Sequence, residues 1–238
     1  GFSSGMSFMF NDGATLTAVG SITGGVVTVG TGASIRIAKA ISWPLTGTFE
    51  IMSYTAAGSS VLSDASVSVT GLSGNSEATL DFATAGKVYL TITSEKLVWS
   101  GADGDEWRAA GKWTGQSSGD SYTFTDYDAV LVTNGPAAGT PSIAVNVSDV
   151  TPSSATFDLG AGFSRKLAGA FGIAGAATSL TKSGDGALIL ANANSYAGAT
   201  AVNGGELVLG DGAANGSIGS GTPVSVSAGA AFVVNSAS

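Results

Sequence analysis

The feature that most constrains this chain is a degenerate internal repeat, in which apolar residues alternate with small or polar ones on both sides of a Gly-Ala corner. Phe8-x-Phe10-x-x-Gly13-Ala14-x-Leu16-x-Ala18 returns 19 residues later as Val27-x-Val29-x-x-Gly32-Ala33-x-Ile35-x-Ile37. A third copy reads Val224-x-Val226-x-x-Gly229-Ala230-x-Phe232-x-Val234. A variant one residue shorter, Val202-x-x-Gly205-x-Leu207-x-Leu209, begins 22 residues before that copy. Alternation with period two marks a strand with one buried face. Glycine suits corners that need positive φ or close backbone approach. Two such strands per repeat describe one coil of a parallel β-helix, where no coil buries its apolar face alone and stacking creates the core. Roughly ten coils would make a rod on the order of 50 Å long, at about 4.8 Å per coil. An antiparallel β-sandwich also uses short strands at this spacing, but it does not need a repeated coil.

Further strand-like runs are Ser7–Phe10, Leu16–Val19, Val26–Val29, Ser34–Ile37, Val67–Thr70, Lys87–Thr93, Ser142–Val147, Ala187–Leu190, Glu206–Leu209 and Pro223–Ser227. Helix-forming composition is scarce. Residues 164–176 have room for a turn or two, against which their glycines argue.

Composition then narrows the chemistry. Hydrophobic residues reach 44%, too many for a disordered chain. The absence of histidine and cysteine removes Ser-His-Asp and Cys-His nucleophiles, Cys/His metal sites and every disulfide. A net charge of −8 has the wrong sign for nucleic acid or an anionic membrane surface. The longest weakly polar run, residues 167–180, is mostly Ala and Gly and falls short of the roughly 20 apolar residues of a membrane-spanning helix. Gly1 opens directly into strand-like sequence, without a signal peptide, and residues 235–238 show no anchor. The chain reads as a piece of something longer.

The second half carries a more specific pattern. Residues 180–210 read LTKSGDGALILANANSYAGATAVNGGELVLG. Leu180, Thr181, Lys182, Gly184, Gly186, Leu188, Leu190, Asn194, Tyr196, Gly198, Thr200, Val202, Gly205, Leu207 and Leu209 fall on the pattern L-T-K-x-G-x-G-x-L-x-L, N-x-Y-x-G-x-T-x-V, x-G-x-L-x-L-G. The segment resembles the autotransporter-associated β-strand repeat. Trp99-Ser-Gly, Trp107 and Trp113-Thr-Gly look like the opening of modules that precede such repeats in bacterial surface proteins. The resemblance implies a right-handed parallel β-helix in the passenger region of an autotransporter or similar surface protein. It implies an extracellular location at the bacterial cell surface, anchored in the outer membrane through a part outside this chain. It also implies two modules. Residues 1–95 would be the end of a preceding β-helical module, and 96–238 the next, with a Trp-rich opening at 96–116 and the repeat at 180–238. The lack of cysteine agrees, because a chain exported unfolded should not be stapled in an oxidising periplasm.

Asp103, Asp105 and Glu106, with Asp120, Asp126 and Asp128 following, form the densest acidic patch. Calcium takes six to eight oxygen ligands, so these residues are the candidate site for it, although the EF-hand loop and the nonapeptide of calcium β-rolls are both missing. The plainer reading is a solvated loop. A carboxylate pair could also cut glycosidic bonds, but the arginines that a polysaccharide-acting β-helix would cluster, Arg36, Arg108 and Arg165, lie far apart. No catalytic residue is assigned. Trp99, Trp107 and Trp113 are candidates for stacking on sugar rings, against the alternative that they seal the joint between modules. Asn194 and Tyr196 are expected at a coil corner. Lys182 fits a charged edge or a hydrogen bond to a turn carbonyl. Gly13, Gly32, Gly184, Gly186, Gly198, Gly205 and Gly229 are read as structural positions of the repeat. The expected function is a non-enzymatic stalk that needs no cofactor and contacts host glycans, matrix or cell-surface proteins. Self-association into a filament is the alternative, and a β-helix enzyme a distant third.

Overall fold

The computed structural model describes residues 46–50, 75–134 and 139–237 in full, and the strand backbones at 6–10, 33–39, 51–53 and 67–70. Every regular element among them is a strand, and the chain divides into two compact units, Gly1–Ser94 and Glu95–Ser238.

The first unit holds β1 (Met6–Phe10), β2 (Ala33–Lys39), β3 (Gly47–Ser53), β4 (Val67–Thr70), β5 (Ser76–Asp81) and β6 (Lys87–Ser94). β1, β2 and β4 form a parallel sheet in that order. The register sets Phe8 beside Ile37 and Ile35 beside Val69. These pairs lie 29 and 34 residues apart, and the 19-residue step of the Gly-Ala repeat involves Leu16 and Val27–Val29, which lie outside the described residues. The two copies of that repeat around Gly13 and Gly32 extend outside the described residues. β6 is the centre of a second sheet, antiparallel to both β3 and β5. Its alternation buries Val88, Leu90 and Ile92 on one face. Here the sequence reading has a coil, whereas the structure has a three-stranded antiparallel sheet in the order β3-β6-β5. Alternation fixes which face of a strand is buried but leaves its partner's direction open.

The second unit is a β-solenoid of about four turns. Its strands are β7 (Leu97–Trp99), β8 (Asp105–Glu106), β9 (Trp113–Gly115), β10 (Ser121–Tyr122), β11 (Ala129–Val132), β12 (Ser142–Ala144), β13 (Ser154–Asp158), β14 (Ser164–Ala168), β15 (Ser179–Ser183), β16 (Ala187–Ala191), β17 (Thr200–Val202), β18 (Glu206–Leu209), β19 (Val224–Val226) and β20 (Ala231–Val234). From β11 onward, odd-numbered strands pair in parallel on one sheet and even-numbered strands on the other. At about 4.8 Å per turn the stack rises roughly 20 Å, well short of the ten coils expected. Much of the chain goes instead into the first unit, the start of the second and the longer connections. Residues 164–168, weighed above as a helical turn, are strand β14.

Register builds the core. Val130, Ala155, Leu180, Thr200 and Val224 follow one another in one inward column, and Val132, Phe157, Lys182, Val202 and Val226 in the next. On the facing sheet Arg165, Leu188, Leu207 and Phe232 stack, as do Ile143, Leu167, Leu190, Leu209 and Val234. Each fully buried Leu, Ile, Val or Phe is worth about 1.5–3 kcal/mol relative to exposure. The step between stacked residues runs from 19 (Ala187 to Glu206) to 25 (Ser154 to Ser179). Val202 stacks on Val226 rather than on Val224, so the offset of 22 between the last two copies becomes 24. The connection after β18, residues 210–223, takes up the extra length.

Tight corners join the sheets at residues 184–186 and 203–205. Gly205 has φ +61°, and a Cβ there would drive into the carbonyl of Gly186 in the coil below. Gly229, at the equivalent corner, has φ +84° but open space around it. Strain at positive φ costs a non-glycine residue of order 1–3 kcal/mol. Gly229→Ala is therefore expected to lower stability by about 1 kcal/mol, and Gly205→Ala by about 3 kcal/mol or more. Urea unfolding of the two variants beside the parent chain measures the difference.

Candidate functional site

Three places in the second unit gather the singled-out side chains, and each is built differently. The first is the aromatic lid at the start of the solenoid. β7 receives β9 antiparallel, and β10 adds beyond it, so the chain doubles over the edge of the first coil instead of winding on. Trp99 and Trp113, directly paired in this ladder, have ring centroids 5.0 Å apart at 74°. Trp107 meets Trp113 at 4.9 Å and Phe124 at 5.7 Å, both edge to face. The Trp113 indole N–H donates to the Trp107 carbonyl at 2.8 Å, and the Arg108 guanidinium lies 5.4 Å from the centre of the Phe124 ring. Trp107 and Trp113 are 0% exposed and Trp99 6%. The indoles are core, so sugar stacking has no open ring face here. Phe124, the fourth ring of the cluster, carries no motif that marks it in the sequence.

The second is the acidic patch, which the fold spreads over separate donors. Asp103 accepts from the Ser142 N–H at 2.6 Å and from its hydroxyl at 2.9 Å. Asp105 pairs with Lys112 at 2.9 Å and accepts from the Ala102 N–H. Glu106 accepts from the Asn146 N–H. Asp126 pairs with Arg108 at 2.6 Å and accepts from the Thr151 N–H, and Asp128 accepts from the Thr125 N–H. Among the described residues no three carboxylates converge as a metal-binding group. What the patch does visibly is tie loops to coils.

The third is the repeat itself. Lys182 points inward, fully buried between Phe157 and Val202. Its ammonium donates to the carbonyls of Ser183 and Gly184 at 2.8 Å and of Gly204 at 3.1 Å. One cation thus closes two successive corners. Burial pushes its pKa down, and Asp158 and Asp185 pull it partly back. The Asn194 side-chain oxygen accepts from the Ile173 N–H at 2.8 Å, one coil before, and its amide donates to the Ser217 carbonyl at 2.8 Å, one coil after. Asn192 continues this ladder to Phe171. The Tyr196 hydroxyl and the Thr200 hydroxyl share a buried hydrogen bond of 2.8 Å. Burial raises the Tyr196 pKa, partly offset by that bond. Gly184 sits at φ +70°, while Gly186 and Gly198 lie against backbone carbonyls of neighbouring coils. Arg165, also buried, donates to the Asn134 carbonyl. An open groove of about 310 Å³ runs past this corner, lined by Phe163, Ser164, Asp185 and Glu206 with Gly162, Gly186 and Ala187.

Two predictions come from this chemistry. Lys182→Met leaves three carbonyls without their charged donor; a hydrogen bond to a charged group is worth about 1.5–3 kcal/mol, so the variant should lose about 3 kcal/mol or more in denaturant unfolding. The carboxyls of Asp103 and Asp105 titrate below the ordinary value of 3.8, the first through its bonds to Ser142, the second chiefly through Lys112. Asp211 is held down by the Ala214 and Ala213 N–H groups. A carboxyl with a depressed folded pKa contributes stability above its unfolded pKa and loses it as pH falls through the folded one. The thermal midpoint should therefore hold between neutrality and about pH 5 and fall below about pH 4, as read by circular dichroism.

Residues 180–209 match the family described as the Passenger-associated-transport-repeat. No curated protein and no solved structure matches the chain. The match begins at Leu180 in β15 and ends at Leu209 in β18, and so takes in the two corners clamped by Lys182 and the Asn194 ladder. The segment that matches the passenger-associated transport repeat, residues 180–209, is folded as consecutive turns of a β-solenoid.

Proposed function

We infer that this chain is a non-enzymatic segment of a passenger stalk in a secreted bacterial cell-surface protein. The observation that carries the reading is the in-register stacking of the transport repeat into a continuous core. A stalk requires that each turn brace the next, and the columns through Leu180 and Leu188 supply that bracing. The repeat family suggests export to the surface, with anchoring provided elsewhere in the protein, and the absence of cysteine suits a chain that crosses membranes unfolded.

The adhesive role belongs to the outward faces of the two sheets. Thr156, Thr181, Ala201 and Ser225 recur at successive levels of one sheet, a repeated small and hydroxylated surface suited to weak contact with glycans, matrix or other cells. Repeated weak contacts raise avidity by orders of magnitude without any deep pocket. The lid residues serve folding in this account. Trp113→Ala should therefore destabilise the second unit by about 3–5 kcal/mol and leave no folded protein selectively deficient in sugar binding.

Beads carrying many copies of the chain, compared with the free chain on glycan and matrix arrays, test the adhesive role. Binding by the beads alone supports it; no binding in either format leaves a passive stalk. Polysaccharides incubated with the chain, with and without calcium, should be recovered uncut.

A further inference from the structure

We propose that Asn203 is a site of spontaneous covalent modification, where the side-chain amide is lost to a succinimide formed with the Gly204 nitrogen and the β17–β18 corner is loosened as a result. This rests on the geometry of that corner and is independent of the stalk reading.

Asparagine followed by glycine occurs three times in the chain, at Asn134, Asn203 and Asn215. The pair favours ring closure, because glycine puts no Cβ in the way of its own nitrogen. The fold then treats the three sites differently. The Asn134 side-chain oxygen accepts from the Gly160 N–H at 2.6 Å, and its backbone carbonyl accepts from Arg165 at 2.8 Å. The Asn215 side-chain oxygen accepts from the Ala237 N–H at 2.9 Å. Gly216, the next residue, is wedged against the Leu190 carbonyl, where an added Cβ would collide. Asn203 is exposed, and neither its side chain nor the Gly204 N–H has a hydrogen-bond partner among the described residues. Across the corner the nearest atom to an added Cβ on Gly204 would be the Gly184 carbonyl oxygen, at 3.1 Å, so the Gly204 nitrogen has room to move. The corresponding pair one corner earlier, Asp185-Gly186, is restrained, because the Gly186 N–H donates to the Leu159 carbonyl at 2.7 Å.

The step balances without any oxidant or reductant. The Gly204 nitrogen attacks the Asn203 side-chain carbonyl carbon, a carbon–nitrogen bond forms, and the side-chain nitrogen leaves as ammonia with the proton that Gly204 gives up. Water then adds to one of the two ring carbonyls and opens the ring to aspartate or to isoaspartate. The second product carries the main chain through its β-carbon. The consequence lies in the clamp. The Asn203 N–H donates to the Lys182 carbonyl at 2.8 Å, and the Gly204 carbonyl accepts from the Lys182 ammonium at 3.1 Å. Isoaspartate inserts one extra carbon between these two anchors, in a corner whose length sets the spacing of Val202 and Leu207 on their separate sheets.

Tandem mass spectrometry of the purified full chain, held at mildly alkaline pH and sampled over weeks, follows each site. Asn203 should convert, with isoaspartate among its products, roughly tenfold or more faster than Asn134 and Asn215, whose side-chain bonds must first break. In guanidinium chloride the three sites should convert at similar rates, which locates the selectivity in the fold. Denaturant unfolding of the aged chain should show a fraction with a lowered midpoint. Asn203→Ser, which has no amide to lose, should keep its midpoint on ageing. Asn203 remaining intact in the folded chain overturns the proposal. So does conversion no faster than at Asn134 and Asn215, the same bias persisting in denaturant, or conversion without any loss of stability.

Discussion

Parallel pairing of each coil on the one before is the interaction on which the second unit depends. A single turn of β15 and β16 exposes Leu180, Leu188 and Leu190 on the levels above and below and has no partner for its backbone. Stacking answers both needs together, since the register that satisfies the N–H and C=O groups also superimposes the inward side chains. The ladders and the columns are two aspects of one constraint. That is why Ala155, Leu180 and Thr200 can differ in size along a column while the register stays fixed.

Polar groups inside such a core must carry their partners with them. Lys182, Asn194 and Thr200 do so in different ways: a cation shared by three carbonyls, an amide bridging the coils on either side, and a hydroxyl paired with Tyr196. These residues hold the corners where regular ladder bonds stop. The lid of Trp99, Trp107 and Trp113 meets the same problem at the first coil with apolar area, burying what would otherwise be an open end.

The solenoid was legible because alternation around Gly205 and Gly229 reports buried strands joined by tight corners. The pattern from Leu180 to Leu209 is legible in finer detail, although for Lys182 it leaves open a charged edge or a turn carbonyl, and only the fold, which buries the side chain against three carbonyls, decides for the second. What sequence could not give was partner direction and register. The run Val88–Thr93 alternates as a coil strand would, yet β6 lies antiparallel to both neighbours. Val202 stacks on Val226 because the connection after β18 is long, and loop length leaves no mark in the alternation. Asp103, Asp105 and Glu106 are adjacent in sequence, but their side chains answer to Ser142, Lys112 and Asn146, partners supplied by neighbouring loops and strands. The inward position of Arg165 was equally hidden, since its burial depends on the Asn134 carbonyl.

Short amide and α-proton contacts between strands, measured by NMR on the labelled chain, test the winding most directly. The account predicts cross-peaks of parallel pairing that link Thr181 to the neighbourhood of Ala201, and Ala201 to that of Ser225, each one turn apart. Contacts joining Thr181 instead to Ile189 across the 184–186 corner, in the pattern of an antiparallel hairpin, would contradict it.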